Sequence, residues 1–248
     1  MNAAKEGCKH EIASLLQQAD QRNVTNLLLD IQDDAGFTPV HLAIVNNNLH
    51  VLDQLLAAGF DVNLALNEYS NGEDWASDGY IYSGEKEGTT PLMAACAIGN
   101  LNLVKTLVDN GAAIEAVNKI SYTCAHRAAQ GNHVSILEYL LQKCERLIEF
   151  RLRNGQTILA VAAWWGAIDV VRYLVKELKA DINVQDGLKD TPLTLVIDWS
   201  CVEVVRFLLK HNADVSLRGR YGKDAITIAR EKGNEEIIQM IQDKMKYH

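Results

Sequence analysis

The stretch Gly36-Phe37-Thr38-Pro39-Val40-His41-Leu42-Ala43 decides the fold of this chain. Thr38 stands where it can cap a helix, because a threonine oxygen accepts a hydrogen bond from a backbone N–H of the first helical turn. Pro39 follows at the first helical position, where no N–H donor is needed. The short apolar run after the proline predicts a buried inner helix.

The same pattern recurs at regular intervals. The residues equivalent to Thr38, here called anchors, are separated by 52, 33, 34, 34 and 33 residues, and a period near 33 is typical of repeat proteins. Gly, Asn or Ser stands nine residues after each anchor and is expected to end the inner helix. A second apolar pattern at helical spacing follows in each unit and predicts an outer helix. The anchors are Thr38, Thr90, Thr123, Thr157, Thr191 and Asp224.

These motifs resemble those of the ankyrin repeat family. The segments Gly36-Phe37-Thr38-Pro39-Val40-His41-Leu42-Ala43 and Gly88-Thr89-Thr90-Pro91-Leu92 are close to the family motif, and the resemblance covers nearly the whole chain. It implies an all-α solenoid of helix-turn-helix repeats with short connector hairpins. The family also implies a non-catalytic function, in which a partner is bound on the surface that stacked repeats create.

We predict a single ankyrin-repeat domain over residues 1–248. A degenerate N-terminal repeat precedes six anchored repeats, and the repeats are expected to begin near residues 1, 34, 86, 119, 153, 187 and 220. The 52-residue spacing places an insertion at residues 65–86, between the first and second anchored repeats.

Composition excludes several functional classes. The net charge of −8 argues against a general nucleic-acid or anionic-membrane binder. No apolar run approaches the roughly 20 residues that span a membrane. The five cysteines include no pair at metal-ligand spacing, which favours reduced thiols and an intracellular, cytoplasmic location. The polar first residues lack the pattern of a signal peptide, and we expect a monomer.

The sequence predicts no catalytic residue, no metal site and no cofactor. His41 and His126 lie three residues after their anchors, where the family resemblance implies structural histidines that bond the neighbouring connector. The chain contains no His-Glu-x-x-His, Cys-x-x-Cys or Gly-x-Ser-x-Gly motif. The segment Gly219-Arg220-Tyr221-Gly222-Lys223 lacks the spacing of a phosphate-binding loop. We therefore predict that the chain is not an enzyme.

Candidate binding residues occupy the positions that vary between repeats, at the ends of the inner helices and at the connector tips. The family resemblance implies that these positions line a concave, partner-facing groove. Aromatic and apolar residues there are typical anchors of binding energy. The predicted partner-binding residues are Ile98, Ile120, Tyr122, Trp164, Trp165, Leu188, Asp198, Trp199 and Tyr221.

Two interpretations of the tryptophans remain open. Trp165 and Trp199 occupy the same position in adjacent repeats, so their rings are expected to be near neighbours, with Trp164 beside them. They form either an exposed binding face or filling between helices, since Ala162 and Ala163 are small.

The insertion carries five acidic residues against one lysine, with four aromatic side chains. We predict that it clasps a basic or amphipathic partner, whereas the alternative is a tolerated surface loop. The predicted clasp residues are Tyr69, Trp75, Tyr80 and Tyr82.

Protein or peptide binding, as an adaptor or scaffold, is the predicted function. One alternative is a nucleotide or small-ligand receptor that stacks a base on the tryptophans, with Lys119, Arg153 or Arg220 reaching a phosphate. Another is a bacterial effector that binds host proteins in the host cytosol.

Overall fold

The computed structural model describes residues 31–33, 36–66 and 87–246. Within these ranges the chain forms twelve α-helices and two short 3-10 helices, and no β-strand. The predicted all-α class is confirmed. The predicted N-terminal repeat and nearly all of the insertion lie outside the described residues, as do Tyr69, Trp75, Tyr80 and Tyr82.

The chain divides into two compact units. The first runs to Arg127 and includes Gln142–Cys144, and the second holds Ala128–Leu141 and the chain from Glu145 onward. The prediction of a single continuous domain stays a prediction.

The helices alternate between short inner and longer outer ones. The first unit holds α1 (Pro39–Val45), α2 (Leu49–Ala57), α3 (Pro91–Ile98) and α4 (Leu101–Asp109). Helices α5 (Cys124–Gln130) and α6 (Val134–Lys143) contribute residues to both units. The second unit holds α7 (Ile158–Trp164), α8 (Ile168–Lys176), α9 (Pro192–Asp198), α10 (Val202–Lys210), α11 (Ala225–Lys232) and α12 (Glu235–Lys246).

The anchor residues cap the inner helices as predicted. The Thr38 hydroxyl oxygen accepts a hydrogen bond from the backbone N–H of His41, at 3.2 Å. This bond satisfies one of the donors left over at the start of a helix. The other five anchors accept from the residue three positions ahead in the same way: Thr90, Thr123, Thr157, Thr191 and Asp224.

Helix α9 forms although its β-branched residues lower its helix propensity. Its start is reinforced on both sides, because Thr191 and Thr194 form a reciprocal capping box. The Thr194 hydroxyl oxygen accepts from the Thr191 N–H at 2.8 Å, and the Thr191 hydroxyl oxygen accepts from the Thr194 N–H at 3.2 Å. Capping and burial of the helix therefore outweigh the weak local preference.

The residue nine positions after each anchor adopts a positive φ and turns the chain. At Gly99 and Gly233 this left-handed conformation caps the inner helix directly. Glycine tolerates the conformation, whereas asparagine adopts it more readily than most other residues. The remaining positions with positive φ are Asn47, Asn132, Gly166 and Ser200.

The outer helices bury the predicted apolar stripes. In α4 the buried side chains are Leu103, Val104 and Leu107, and in α8 they are Val170, Val171 and Leu174. Inner helices pack on inner helices, as α7 does on α9 and α9 does on α11, while outer helix α8 packs on α10. Each core is thus shared between neighbouring repeats, which is why single repeats of this size are not stable alone.

His41 links one repeat to the next connector in the first unit. Its Nδ1 lies 2.8 Å from the Thr38 hydroxyl, and its Nε2 lies 3.3 Å from the backbone carbonyl of Thr89. Burial lowers the pKa of His41 to about 4, and the bond to Thr89 opposes this only in part. The imidazole is therefore neutral at physiological pH, and its role is structural.

The last two connectors each close in a tight turn directly before their anchors. In the second unit the backbone N–H of Asp186 donates to the carbonyl of Asp190, and the N–H of Gly219 donates to that of Lys223. Loop tips of this kind present their central side chains to solvent. The connectors at residues 185–190 and 216–223 position two of the candidate site residues, Leu188 and Tyr221.

Candidate functional site

The ends of helices α7 and α9 bring two tryptophans together. The ring centroids of Trp164 and Trp199 are 5.5 Å apart, and the ring planes are inclined at 67°. The two helices pack closely because the residues facing the core of α7, such as Ala160 and Ala163, are small and buried. Edge-to-face packing is a favoured geometry for aromatic pairs.

Trp164, Trp165 and Trp199 all keep part of their surface exposed to solvent. Trp199 is 56% exposed, and Trp164 and Trp165 are half-buried. The sequence indicated Trp165 and Trp199 as the neighbouring pair, whereas the ring contact in the structure joins Trp164 to Trp199. Trp165 instead occupies the cap position at the end of α7, where its backbone N–H donates to the last turn.

A charged side chain lies against this pair. The guanidinium carbon of Arg220 is 5.9 Å from the Trp164 ring centroid, within the range of a cation–π interaction. Arg220 belongs to the last connector and reaches α7 from two repeats away along the chain. It therefore ties the connector tip to the tryptophan pair.

Two carboxylates hold Arg220 in this position. Its Nε donates to Asp190 Oδ2 at 2.7 Å, and one terminal nitrogen lies 3.2 Å from Asp198 Oδ2. Asp198 also receives Lys232, whose Nζ is 3.1 Å from its Oδ1. Charge-assisted bonds of this kind fix side-chain geometry more strongly than neutral ones. Of these residues, the sequence analysis predicted Asp198 as a partner-binding residue and Arg220 only as a phosphate contact in the nucleotide alternative.

Asp190 is the buried centre of the network, with only 2% of its surface exposed. In addition to the Arg220 side chain, it accepts the Arg220 backbone N–H at 3.0 Å and lies 3.4 Å from the Thr194 hydroxyl. Gly219 permits this approach, because a Cβ at that position would collide with the Asp190 carboxylate. One signal of this role is present in the sequence: Asp190 is the only carboxylate among the residues directly preceding an anchor.

The two connector tips add exposed apolar surface. Leu188 is 56% exposed and Tyr221 is 87% exposed. Tyr221 has a φ of 60°, a conformation that is uncommon for an aromatic residue. The Nζ of Lys223 lies 5.7 Å from the Tyr221 ring centroid and 2.7 Å from Glu231 Oε2. Tyr221 therefore stands on the surface beside an ion pair that supports it.

Six of the nine predicted binding residues thus belong to the second unit. We call them the tryptophan face, defined as Trp164, Trp165, Leu188, Asp198, Trp199 and Tyr221. The face combines exposed aromatic surface with a fixed network of both charge signs.

The other three predicted residues belong to the first unit. Ile98 and Ile120 are half-buried. Tyr122 is only 6% exposed, because it packs against His126 and lies under the guanidinium of Arg127, which is 4.4 Å from its ring centroid. The sequence predicted Tyr122 as a groove residue, but the structure turns its ring into the core, so it offers little surface to a partner.

No group of three or more His, Cys, Asp or Glu side chains in the described ranges is arranged to hold a metal ion. Burial and, to a smaller extent, the positive charge of Arg127 together lower the pKa of His126 to about 3, so this imidazole is neutral. Among the helices that the structure describes, none is both long and apolar enough to cross a membrane.

Comparison with known proteins agrees with the repeat architecture. The family model for ankyrin repeats matches residues 66–146, 117–186 and 175–247, and the single ankyrin repeat model matches residues 35–67.

Three relatives illustrate the range of proteins that contain similar segments. The chain is 30% identical over 112 residues to alpha-latrocrustotoxin-Lt1a of Latrodectus tredecimguttatus, covering 45% of this chain and 6% of the toxin. It is 29% identical over 154 residues to protein phosphatase 1 regulatory subunit 12A of Rattus norvegicus, covering 61% of this chain and 13% of that subunit. It is 28% identical over 119 residues to NF-kappa-B inhibitor alpha of Mus musculus, covering 46% of this chain and 32% of that inhibitor.

The matched segments are a small part of each relative, at most about a third of its length. The likeness is therefore one of repeat architecture, and it does not carry over the activity of any whole protein. Together with the repeated caps, turns and apolar stripes, the family matches show that this chain belongs to the ankyrin repeat family.

Proposed function

We propose that this chain is a non-catalytic protein-binding module that holds a segment of a partner protein on its tryptophan face. One observation carries the proposal: Trp199 is 56% exposed while its ring is fixed against Trp164. Exposed, pre-oriented aromatic side chains supply a large share of binding energy at protein interfaces. A contiguous exposed apolar patch typically marks an interaction site.

The names of two relatives support protein binding as the class of function. One is a regulatory subunit of a protein phosphatase and one is an inhibitor of NF-kappa-B, so each is named for an action on another protein. Ankyrin repeats generally serve as binding modules rather than as catalysts. The chain acts as an adaptor or scaffold if it binds one partner protein while a second protein is attached to it or bound to it.

The charges of the tryptophan face favour an amphipathic partner. Asp198, Arg220 and Lys232 already neutralise one another to a large extent, so the face is not strongly acidic. The prediction of a basic partner rested on the insertion, nearly all of which lies outside the described residues. An amphipathic segment would place apolar side chains on Trp199 and polar ones at the rim.

The same ion pairs weigh against a nucleotide receptor. Arg220 is engaged by Asp190 and Asp198, and Lys119 is paired with Glu87. A phosphate would have to compete with carboxylates that are already in place. For the cellular location we keep the cytoplasmic prediction, which is supported by four described cysteines that are all free thiols.

Affinity capture with matched variants tests the proposal. Wild-type protein and Trp199→Ala are compared as baits, with Leu178→Ala as the control because Leu178 is an exposed apolar residue of the same unit outside the face. The proposal expects a protein that the wild type and Leu178→Ala both retain and Trp199→Ala loses. If every protein captured by the wild type is captured equally by Trp199→Ala, the tryptophan face is not the binding site.

A further inference from the structure

An open groove runs between the last two connectors and shares Leu188 and Tyr221 with the tryptophan face. It has a volume of about 920 Å³ and is lined by residues of the segments 185–189 and 216–222, here called the connector groove. Gln185 fixes the separation of its two walls, because its Nε2 donates to the carbonyls of both Lys189, at 2.7 Å, and Arg218, at 3.1 Å. The groove is therefore a built feature of the connectors.

The lining of the connector groove carries positive charge only. Lys189, Arg218 and Arg220 line it, and no carboxylate does. This local excess contrasts with the net charge of −8 for the chain. Lys189 and Arg218 are both exposed, although one Arg218 nitrogen donates to the Gly222 carbonyl at 3.0 Å.

The acidic residues of the same connectors are turned away from the groove by their hydrogen bonds. Asp186 Oδ1 accepts from the backbone N–H of Leu188 at 2.8 Å and from that of Asp190 at 2.9 Å. Asp190 itself is buried beneath Gly219 and Arg220. Asp186 and Asp190 are thus used to hold the backbone of the turns, and Asp224, the carboxylate whose pKa Arg218 helps to lower, caps helix α11 through Thr227.

Apolar surface accompanies these cations. Leu188 comes from one connector and Tyr221 from the other, and both line the groove while being largely exposed. Tyr221 keeps a left-handed backbone conformation, with a φ of 60°, that costs free energy for a residue other than glycine. The groove thus offers two apolar contacts next to two accessible positive charges.

We propose that the connector groove binds an acidic peptide segment of the partner. A carboxylate of that segment pairs with Lys189 or Arg218, and an apolar side chain packs between Leu188 and Tyr221. This inference rests on the proposed protein-binding function and names the chemistry of the partner's polar side. Complementary charge at an interface rim steers association and selects among partners.

A nucleic acid fits these observations less well than a peptide. Binding to a phosphate backbone draws on many cationic contacts, and the whole chain would repel a polyanion. The groove provides Lys189 and Arg218, whereas Arg220 is held by two carboxylates. Two accessible cations with two apolar neighbours suit a short acidic segment that also carries apolar side chains.

Selection from a random-peptide phage library tests this inference. Wild-type protein is the target, with Lys189→Glu and the double variant Lys189→Glu, Arg218→Glu as charge reversals. Lys210→Glu is the matched control, since Lys210 is exposed at the end of α10 and does not line the groove. Arg218→Glu also removes the bond from Arg218 to the Gly222 carbonyl, which can disturb the connector. Lys189→Glu is therefore tested alone as well, because it leaves that bond in place.

The expected result is that wild type and Lys210→Glu enrich peptides that combine Asp or Glu with Leu or aromatic residues. Lys189→Glu should lose that acidic enrichment. In fluorescence anisotropy, a selected peptide should bind Lys189→Glu on the order of tenfold more weakly than wild type. Its amide analogue, with Asn and Gln for Asp and Glu, should show a similar loss against the wild type.

Several outcomes overturn the inference. These are selection of neutral or basic peptides, no selection at all, equal binding by Lys189→Glu, or tighter binding of a single-stranded oligonucleotide than of the acidic peptide. The proposed function is judged separately, by loss of the captured protein in Trp199→Ala. A partner lost by Trp199→Ala but retained by Lys189→Glu would leave protein binding intact and reject the acidic groove.

Discussion

Asp190 binds Arg220 twice, through the backbone N–H at 3.0 Å and through the side-chain Nε at 2.7 Å. The carboxylate therefore fixes both the path of the last connector and the direction of the guanidinium that lies against Trp164. The Asp190–Arg220 ion pair is in this way joined to the tryptophan face. Its effects on stability and on binding can be measured separately.

Removing the Asp190 charge should destabilise the fold. Asp190→Asn leaves Arg220 without its main counter-charge in a partly buried position, and we expect a loss of roughly 3 kcal/mol, near the lower end for a broken buried pair. Urea unfolding measures this free energy. Arg220→Ala and the double variant complete a cycle, and a coupling energy near zero would contradict the assigned role of the pair.

The outer-helix stripes should dominate stability. Leu174→Ala or Leu107→Ala removes a fully buried side chain, and each should cost roughly 2–5 kcal/mol in the free energy of unfolding. Leu178→Ala is the control in the second unit because Leu178 is exposed. A loss below about 1 kcal/mol at Leu174, as small as a surface change, would mean that the repeat register is misassigned.

Truncating Trp165 and Trp199 should weaken binding more than folding. For Trp165→Ala with Trp199→Ala, we expect at least about 2 kcal/mol of lost binding free energy, roughly thirtyfold in affinity. The effect on unfolding should stay well below the roughly 3–5 kcal/mol typical of a buried tryptophan. Titration of a captured partner measures the loss of binding, and urea unfolding of the same variant measures the loss of stability. A large stability loss with unchanged affinity of the folded protein would refute the assignment.

Acidification should destabilise the first unit through His41. The folded pKa is about 4 and the ordinary value is 6.5, so the unfolded state takes up the proton first as the pH falls. The contribution of neutral His41 to the free energy of unfolding is fully present above pH 6.5 and is lost as the pH falls towards about 4. It amounts to about 3 kcal/mol at most. Urea unfolding of wild type and His41→Gln between these pH values measures it.

His41→Gln should be less stable than the wild type at neutral pH, but its free energy of unfolding should fall less steeply as the pH is lowered. His50→Gln serves as the matched control, because His50 is an exposed histidine on helix α2. Parallel pH profiles for wild type and His41→Gln would show that His41 does not carry the effect.

Most of the fold could be predicted from the sequence because its signals are local. A threonine cap, a proline at the first helical position and a turn residue nine positions later all act within one repeat. The apolar stripes of the outer helices follow from the helical period alone. Helix α9 shows the limit of propensity, since the Thr191–Thr194 capping box stabilises a helix that its β-branched residues disfavour.

The site was predicted only as a set of positions. The sequence placed Trp199, Leu188 and Tyr221 at variable positions, and the structure exposes all three. Tyr122 occupies an equivalent position but is buried against Arg127, because the side chain that covers it comes from the following inner helix. Exposure depends on such neighbours, which repeat spacing does not specify.

The sequence by itself therefore determined the repeat class, the anchors, the helix order and the buried stripes. Only the tertiary structure decided that Trp164 rather than Trp165 meets Trp199, and that Asp190 holds Arg220 from 30 residues away. The physical reason is that caps and periodicity act over a few residues along the chain. The choice of side-chain partners instead depends on the angle and distance at which successive repeats stack.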